Sequence, residues 1–168
     1  WWDAELFTGN PNWEVLRSNP KAELPAEEQA FLDGPVNELC EMIDEWRVSH
    51  KDYDLPQEVY DFVKEKGFFS FIIPKEYGGL EFSPLGLIYV MAKIGSRSGT
   101  LASMVGVPNS LGPAELLMHY GTDEQKKELL PKLASGEHVP CFALTGPYAG
   151  SDATSMPDTG IVCKGEFE

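Results

Sequence analysis

The sequence predicts a mainly α chain, with β structure entering only near its end. Apolar residues recur at helical spacing through roughly the first four-fifths. Proline, glycine, serine and threonine stand where those helices would begin or stop. After Glu137 the pattern changes to short apolar runs rich in strand formers, at residues 139–144 and 160–163.

Each element has its own signal. Residues 1–24 hold two prolines and two aromatic clusters, and read as an irregular N-terminal arm. Pro25 suits the first position of a short helix over residues 27–32, which Gly34-Pro35 breaks and restarts. Val36, Leu39, Cys40, Ile43, Trp46 and Arg47 follow i, i+3, i+4, i+7 spacing with carboxylates opposite, predicting an amphipathic helix. Pro56 opens another helix through Lys66, with Gly67 placed to cap it. Residues 83–97 are apolar on more than one face and predict a largely buried helix. Shorter helices follow at 100–106 and from Pro113 to about His119. Thr122 and Gln125 form a capping-box pair for a helix through Ala134, which Gly136 stops.

Composition narrows the function. At 42% hydrophobic and 24% charged the chain is globular rather than disordered. A net charge of −14 argues against nucleic acid, whose phosphates need clustered Lys and Arg. No apolar run reaches the length of about 18 residues that spans a bilayer, and no basic segment leads into an apolar one as a signal peptide does. The opening Trp1-Trp2 is read as a start within a longer protein, so an upstream anchor stays open. Cys40, Cys141 and Cys163 lack metal-type spacing and read as reduced, mostly buried thiols of an intracellular protein. His50, His119 and His138 have no nucleophile or ligand partner in sequence and read as structural or surface residues. The acidic runs Glu23, Glu27, Glu28 and Glu38, Glu41, Asp44, Glu45 read as solvated helix faces. Ser96-Arg97-Ser98-Gly99-Thr100 reads as a polar helix–helix linker in preference to a phosphate loop, and Phe68, Phe69, Phe71 and Tyr77 as core.

The segment from Cys141 to Ala153 is the most informative. An apolar run, Cys141-Phe142-Ala143-Leu144, breaks into Thr145-Gly146-Pro147-Tyr148-Ala149-Gly150-Ser151-Asp152. Taken alone, the cluster is either a turn between strands or a ligand loop. Its glycines remove Cβ atoms, so a flat or anionic ligand can approach backbone N–H groups and two hydroxyls.

Context favours the ligand loop. Tyr120-Gly121-Thr122-Asp123-Glu124-Gln125-Lys126 leads to Leu130-Pro131-Lys132-Leu133-Ala134-Ser135-Gly136-Glu137 and then to that loop. This order resembles the acyl-CoA dehydrogenase family, with its "YGT-x-EQK…LP-x-L-x-x-G-E" helix and its "LTEP-x-AGSD" flavin signature. Gly67-Phe68-Phe69 and Ile73-Pro74-Lys75-Glu76-Tyr77-Gly78-Gly79 are similar to the family's connection ending in YGG. Trp1-Trp2-Asp3-Ala4-Glu5-Leu6-Phe7, Ser96–Ser103 and Pro108-Asn109-Ser110-Leu111-Gly112 are similar to its long bacterial members of FadE type. One departure stands out: Gly146 occupies the place where most of the family carries Glu.

The resemblance implies the rest as expectations. Residues 1–24 would be an arm, 25–137 the N-terminal helical-bundle domain of acyl-CoA dehydrogenase type, and 138–168 the opening strands of a middle β domain. The whole protein would use FAD to dehydrogenate a medium- or long-chain fatty acyl-CoA to the trans-2-enoyl-CoA, as in β-oxidation. Phe142 would present its carbonyl to the flavin pyrimidine edge, Leu144 would pack on the ring system, and Thr145 would meet the N1/O2 edge. Gly150 and Ser151 would lie by the cofactor, with Ser151 also near the pantetheine of the substrate. Helices over 85–94 and 113–119 would wall the acyl pocket, with residues 107–112 at its base, and Gly112→Leu would curb long substrates selectively. No glutamate here matches the family's general base, so no catalytic residue is assigned. The full-length enzyme would be a homo-oligomer that hands electrons to a flavoprotein. It would lie in the cytoplasm, with inner-membrane association only through segments outside this chain. The 168 residues alone would be inactive. A flavin-free helical module for docking or assembly, and an acyl-CoA oxidase, remain the alternatives.

Overall fold

The computed structural model describes residues 2–18, 23–110, 112–141, 144–155 and 157. Ten α-helices follow one another among them: α1 (Trp2–Leu6), α2 (Trp13–Ser18), α3 (Ala26–Asp33), α4 (Pro35–Met42), α5 (Glu45–Arg47), α6 (Gln57–Glu65), α7 (Pro84–Arg97), α8 (Gly99–Gly106), α9 (Pro113–Tyr120) and α10 (Asp123–Ala134). A π-helical turn lies at Val48–Asp52, and 3-10 turns lie at Lys75–Tyr77 and Ala153–Ser155.

Helix starts follow local chemistry. Pro35, Pro84 and Pro113 sit where a missing N–H does no harm. Ser83 and Ser98 cap α7 and α8 by accepting from the N–H groups of Gly86 and Leu101. At α10 the hydroxyl of Thr122 accepts from Gln125 N, and the Gln125 amide oxygen accepts from Thr122 N, completing the capping box.

Two apolar clusters hold these helices. The larger joins Val36 and Leu39 of α4, Val59 and Val63 of α6, Val90 and Ile94 of α7 and Leu101 and Val105 of α8 around the buried rings of Phe68, Phe69 and Phe71. Phe31 and Phe82 close its aromatic part, with Phe31 edge-on to Phe71 and Phe82 stacked upon it. The smaller cluster joins Ile73 to Ala114 of α9 and Leu130, Leu133 and Ala134 of α10. Between them, residues 79–82 double back against 70–74: Gly79 N donates to Pro74 O, Leu80 N to Ser70 O, Glu81 N to Ile73 O and Phe82 N to Phe71 O.

Three readings need correction. The arm is not irregular throughout, since α1 and α2 form within it. The side chain of Asn12 accepts from Glu14 N and Val15 N, its own N–H is held by Glu5, and Trp2 packs edge-on to Trp13. The helix expected from Val36 to Arg47 breaks at Ile43, whose φ and ψ of −95° and 122° are extended. Arg97 takes the freed carbonyls of Cys40 and Ile43, and the Asp44 side chain caps Arg47 N to start α5. Trp46 therefore leaves the core face: it is 64% exposed and stacks on His50. Finally, residues 139–141 and 144–152 carry no strand. A strand exists through its ladder, and no described segment pairs with these residues. Residues 142, 143 and 160–163, the remainder of the expected strands, lie outside the described residues.

Candidate functional site

The loop at 144–152 comes after α10 in the chain. Gly146 N donates to Ala149 O, closing a reverse turn around Pro147 and an exposed Tyr148. Asp152 holds the far side: its carboxylate accepts from the Ser155 hydroxyl foremost, then from the hydroxyl and N–H of Thr154, which keeps its carboxyl below the usual range. Of the expected site residues, Leu144 is 41% exposed, and Thr145, Gly150 and Ser151 are exposed too. Neither the Thr145 nor the Ser151 hydroxyl has a hydrogen-bond partner among the described residues. A Cβ at Gly150 would meet nothing within 4 Å, so its backbone is open to a ligand. Phe142 lies outside the described residues. Leu144, Thr145, Gly150 and Ser151 thus share one exposed loop in which the Thr145 and Ser151 hydroxyls have no partner among the described residues.

An apolar cleft of about 380 Å³ is lined by Pro113 and Leu117 of α9, Leu129 and Leu133 of α10 and Val139 and Pro140, with His138 as its ionisable group. A second apolar surface is formed by α7 and α8. In a chain of net charge −14, residues 82–114 contain only two charged residues, Lys93 and Arg97. Both are held by main-chain carbonyls: the half-buried Lys93 donates to Leu32 O, and the exposed Arg97 to the carbonyls at the end of α4. Ile88 and Tyr89 are exposed on the outer face. The hydroxyls of Ser96, Ser103 and Ser110 turn back to the carbonyls of Lys93, Gly99 and Gly106, so they add little polarity there.

The same details settle the Ser96–Thr100 reading. The N-terminus of α8 is already occupied by a carboxylate, because Glu45 Oε1 accepts from Thr100 Oγ1 and Ser49 Oγ. A phosphate would meet that charge. Glu45 Oε2 is shut from solvent without an aligned partner. Nearby hydroxyls, Ser98 foremost by proximity and then Ser49 and Thr100, hold the Glu45 carboxyl below its ordinary value of 4.5. A depressed folded-state pKa means stability that is present above 4.5 and lost as pH falls through the folded value. Glu45→Gln is therefore expected to narrow the gap between urea midpoints measured at neutral pH and just below the carboxylate range. An unchanged gap would show that Glu45 does not link folding to acid.

Sequence reading missed other polar groups. Glu28 is not on a solvated face: it is 6% exposed and accepts from Ser83 N and Ser83 Oγ at 2.6 and 2.7 Å, tying α3 to α7. Cys141 is exposed rather than buried, and Cys40 is half-buried, with burial pushing its thiol up. Among the described residues no three His, Cys, Asp or Glu side chains converge on a metal position, and no helix is long and apolar enough to cross a membrane.

The described residues form a helical body of two apolar clusters, followed by an exposed, glycine-bearing loop. Residues 26–137 match the acyl-CoA dehydrogenase N-terminal domain, and the chain belongs to the acyl-CoA dehydrogenase family. It is 38% identical over 129 residues to a 3-(aryl)acrylate reductase of Clostridium sporogenes, covering 77% of this chain and 32% of that one. It is 32% identical over 158 residues to a probable acyl-CoA dehydrogenase, FadE10, of Mycobacterium bovis, covering 92% of this chain and 24% of the relative. Among solved structures, a glutaryl-coenzyme A dehydrogenase in complex with glutaryl-CoA superposes with a TM-score of 0.65 at 31% identity, over 82% of this chain and 35% of that one. The chain thus spans about a third or less of these relatives' length.

Proposed function

We propose that the chain is the N-terminal part of an FAD-dependent acyl-CoA dehydrogenase acting on medium- or long-chain fatty acyl-CoA. In this reading residues 1–24 are an arm, 25–137 the helical domain and 138–168 the opening of a middle β domain. The observation that carries it is the loop after α10, where two free hydroxyls and an open glycine backbone follow a family-matched helical domain. Those residues fit a flavin edge: Thr145 offers a hydroxyl and an N–H, Leu144 an apolar surface, and Gly150 and Ser151 an approach free of bulk. Phe142 would add a backbone carbonyl, and Ser151 would also reach the pantetheine of the substrate.

When bound, FAD supplies the hydride acceptor for oxidation across the α and β carbons. The chain's own residues bind and orient. Thr145 fixes one polar edge, while Leu144 excludes water from the ring face. The charge-poor surface of α7 and α8 supports an acyl wall, since its two charged residues, Lys93 and Arg97, are already held by main-chain carbonyls. No residue of this chain is assigned as the base that removes the α proton. Electrons would pass to a flavoprotein, and the full-length enzyme would be a homo-oligomer in the cytoplasm.

Gly112→Leu does not report on chain length, because the backbone around Gly112 has no room for a side chain. A Cβ at Gly112 would already meet the carbonyl oxygens of Val107 and Pro108 at 3.0 Å, so the substitution would disturb the turn itself. The test of function is direct. The purified full-length protein should be yellow and should reduce a dye with palmitoyl-CoA. A colourless protein that reduces nothing would favour the flavin-free docking module. A yellow protein that reduces oxygen in place of the dye would favour the oxidase.

A further inference from the structure

Asn109 is 2% exposed, and its amide is fully engaged. Its Oδ1 accepts from Phe71 N at 2.8 Å, and its Nδ2 donates to Phe68 O at 2.6 Å and to Val105 O at 2.8 Å. Two of these bonds join the end of α8 to the aromatic turn at 68–71, which Phe31 and Phe82 pin from the other side. The third finishes α8 by taking a carbonyl that the helix leaves free.

The turn just beyond α8 depends on this anchor. Asn109 N donates to Gly106 O and Ser110 N reaches Val107 O at 3.5 Å, while Ser110 Oγ returns to Gly106 O. These are short-range bonds. They shape the turn but do not fix its height above the body of the domain. Asn109 is the described side chain that does so, through bonds spanning 38 and 41 residues. Pro108 is buried with Asn109, Gly106 and Val107 are half-buried, and Ser110 is the exposed residue of the turn.

We propose that Asn109 is a positioning residue for acyl-chain selection. It holds the 107–110 turn, read above as the base of the acyl pocket, at one distance from the aromatic turn. The inference rests on the acyl-CoA reading of the preceding subsection. A base held by a buried amide would set the pocket's depth, and hydrophobic pockets discriminate at the scale of a single methylene. Asn109 touches neither substrate nor flavin in this account. Its loss alters which chain length is preferred without altering flavin retention.

The test uses the full-length enzyme. Asn109→Ser keeps a hydroxyl able to bond Val105 O four residues back but drops both long-range bonds, and Asn109→Ala drops all three. Each variant is assayed with butyryl-CoA and palmitoyl-CoA, per mole of bound flavin. The ratio of the two kcat/KM values is expected to move toward unity by on the order of fivefold. Thr122→Ala, which weakens the start of α10 far from this turn, is the purely structural comparison and should leave the ratio unmoved. An active parent whose ratio survives Asn109→Ser, or moves equally with Thr122→Ala, overturns the positioning role alone. So does failure of both Asn109 variants to fold with flavin bound. A parent inert to both substrates overturns the acyl-CoA reading, and this inference with it.

Discussion

Gly79→Ala is expected to remove about 3 kcal/mol or more of folding stability, while Gly78→Ala, its neighbour in the same motif, removes roughly 1–2 kcal/mol. The difference lies in what a methyl group meets. At Gly79 a Cβ would stand 1.9 Å from the carbonyl oxygen of Ile73 and 2.5 Å from its carbon. Both are backbone atoms, and that oxygen already accepts from Glu81 N. Relief therefore requires separating residues 79–82 from 70–74, which would loosen the bonds that seat Phe82 on Phe71. At Gly78 a Cβ would meet nothing within 4 Å, but the φ of 84° is left-handed, so only backbone strain is added. A typical domain has only about 5–15 kcal/mol to lose, so Gly79→Ala should shift the urea midpoint severely. Equal shifts for the two variants would refute the close-approach argument.

These two glycines show what the sequence could and could not tell. Tyr77-Gly78-Gly79 is visible as a motif, yet nothing in the letters distinguishes a glycine needed for its φ from one needed for its missing Cβ. The distinction depends on where Ile73 comes to rest. Helix starts were legible because their causes are local: Ser83, Ser98 and Thr122 each cap within three residues of themselves. The break at Ile43 was not legible, because its cause is Arg97, 54 residues away. Trp46 followed the period of α4 in sequence but lost its place in the core when that helix ended early. Glu28 was misread for the same reason. Its partner is Ser83, so a carboxylate that looks solvated in sequence is buried by a contact 55 residues distant.

The candidate site divides along the same line. Thr145, Gly150 and Ser151 could be found from composition and order, because a glycine-bearing loop after an apolar run is a local pattern. Asn109 could not. Asparagine near glycine and proline reads as a turn residue, and only the packed domain shows its amide spanning α8 and the 68–71 turn. The charge-poor stretch from 82 to 114 was present in the sequence all along. Its meaning depended on learning that Lys93 and Arg97 are held by main-chain carbonyls.

Thr145→Val in the full-length enzyme is expected to reduce kcat/KM by roughly tenfold to a hundredfold, equivalent to about 1–3 kcal/mol of lost flavin or transition-state stabilisation. Valine keeps the β-branched shape and the backbone N–H, so the change isolates one hydroxyl. The structure makes the test selective. That hydroxyl is exposed and has no partner among the described residues, so folding should not depend on it. Thermal stability should accordingly stay near the parental value while flavin content or turnover falls. The opposite pattern, a loss of stability with flavin and turnover retained, would make the loop a structural turn. The loop also lacks the carboxylate that Gly146 replaces, so fewer charged groups compete to set the polarity around the ring edge. In the proposed site a neutral donor at that edge would then carry a larger share of the orientation, since preorganised donors act most strongly where charge develops in a dry site. Parental flavin occupancy together with parental turnover in Thr145→Val would remove Thr145 from the site.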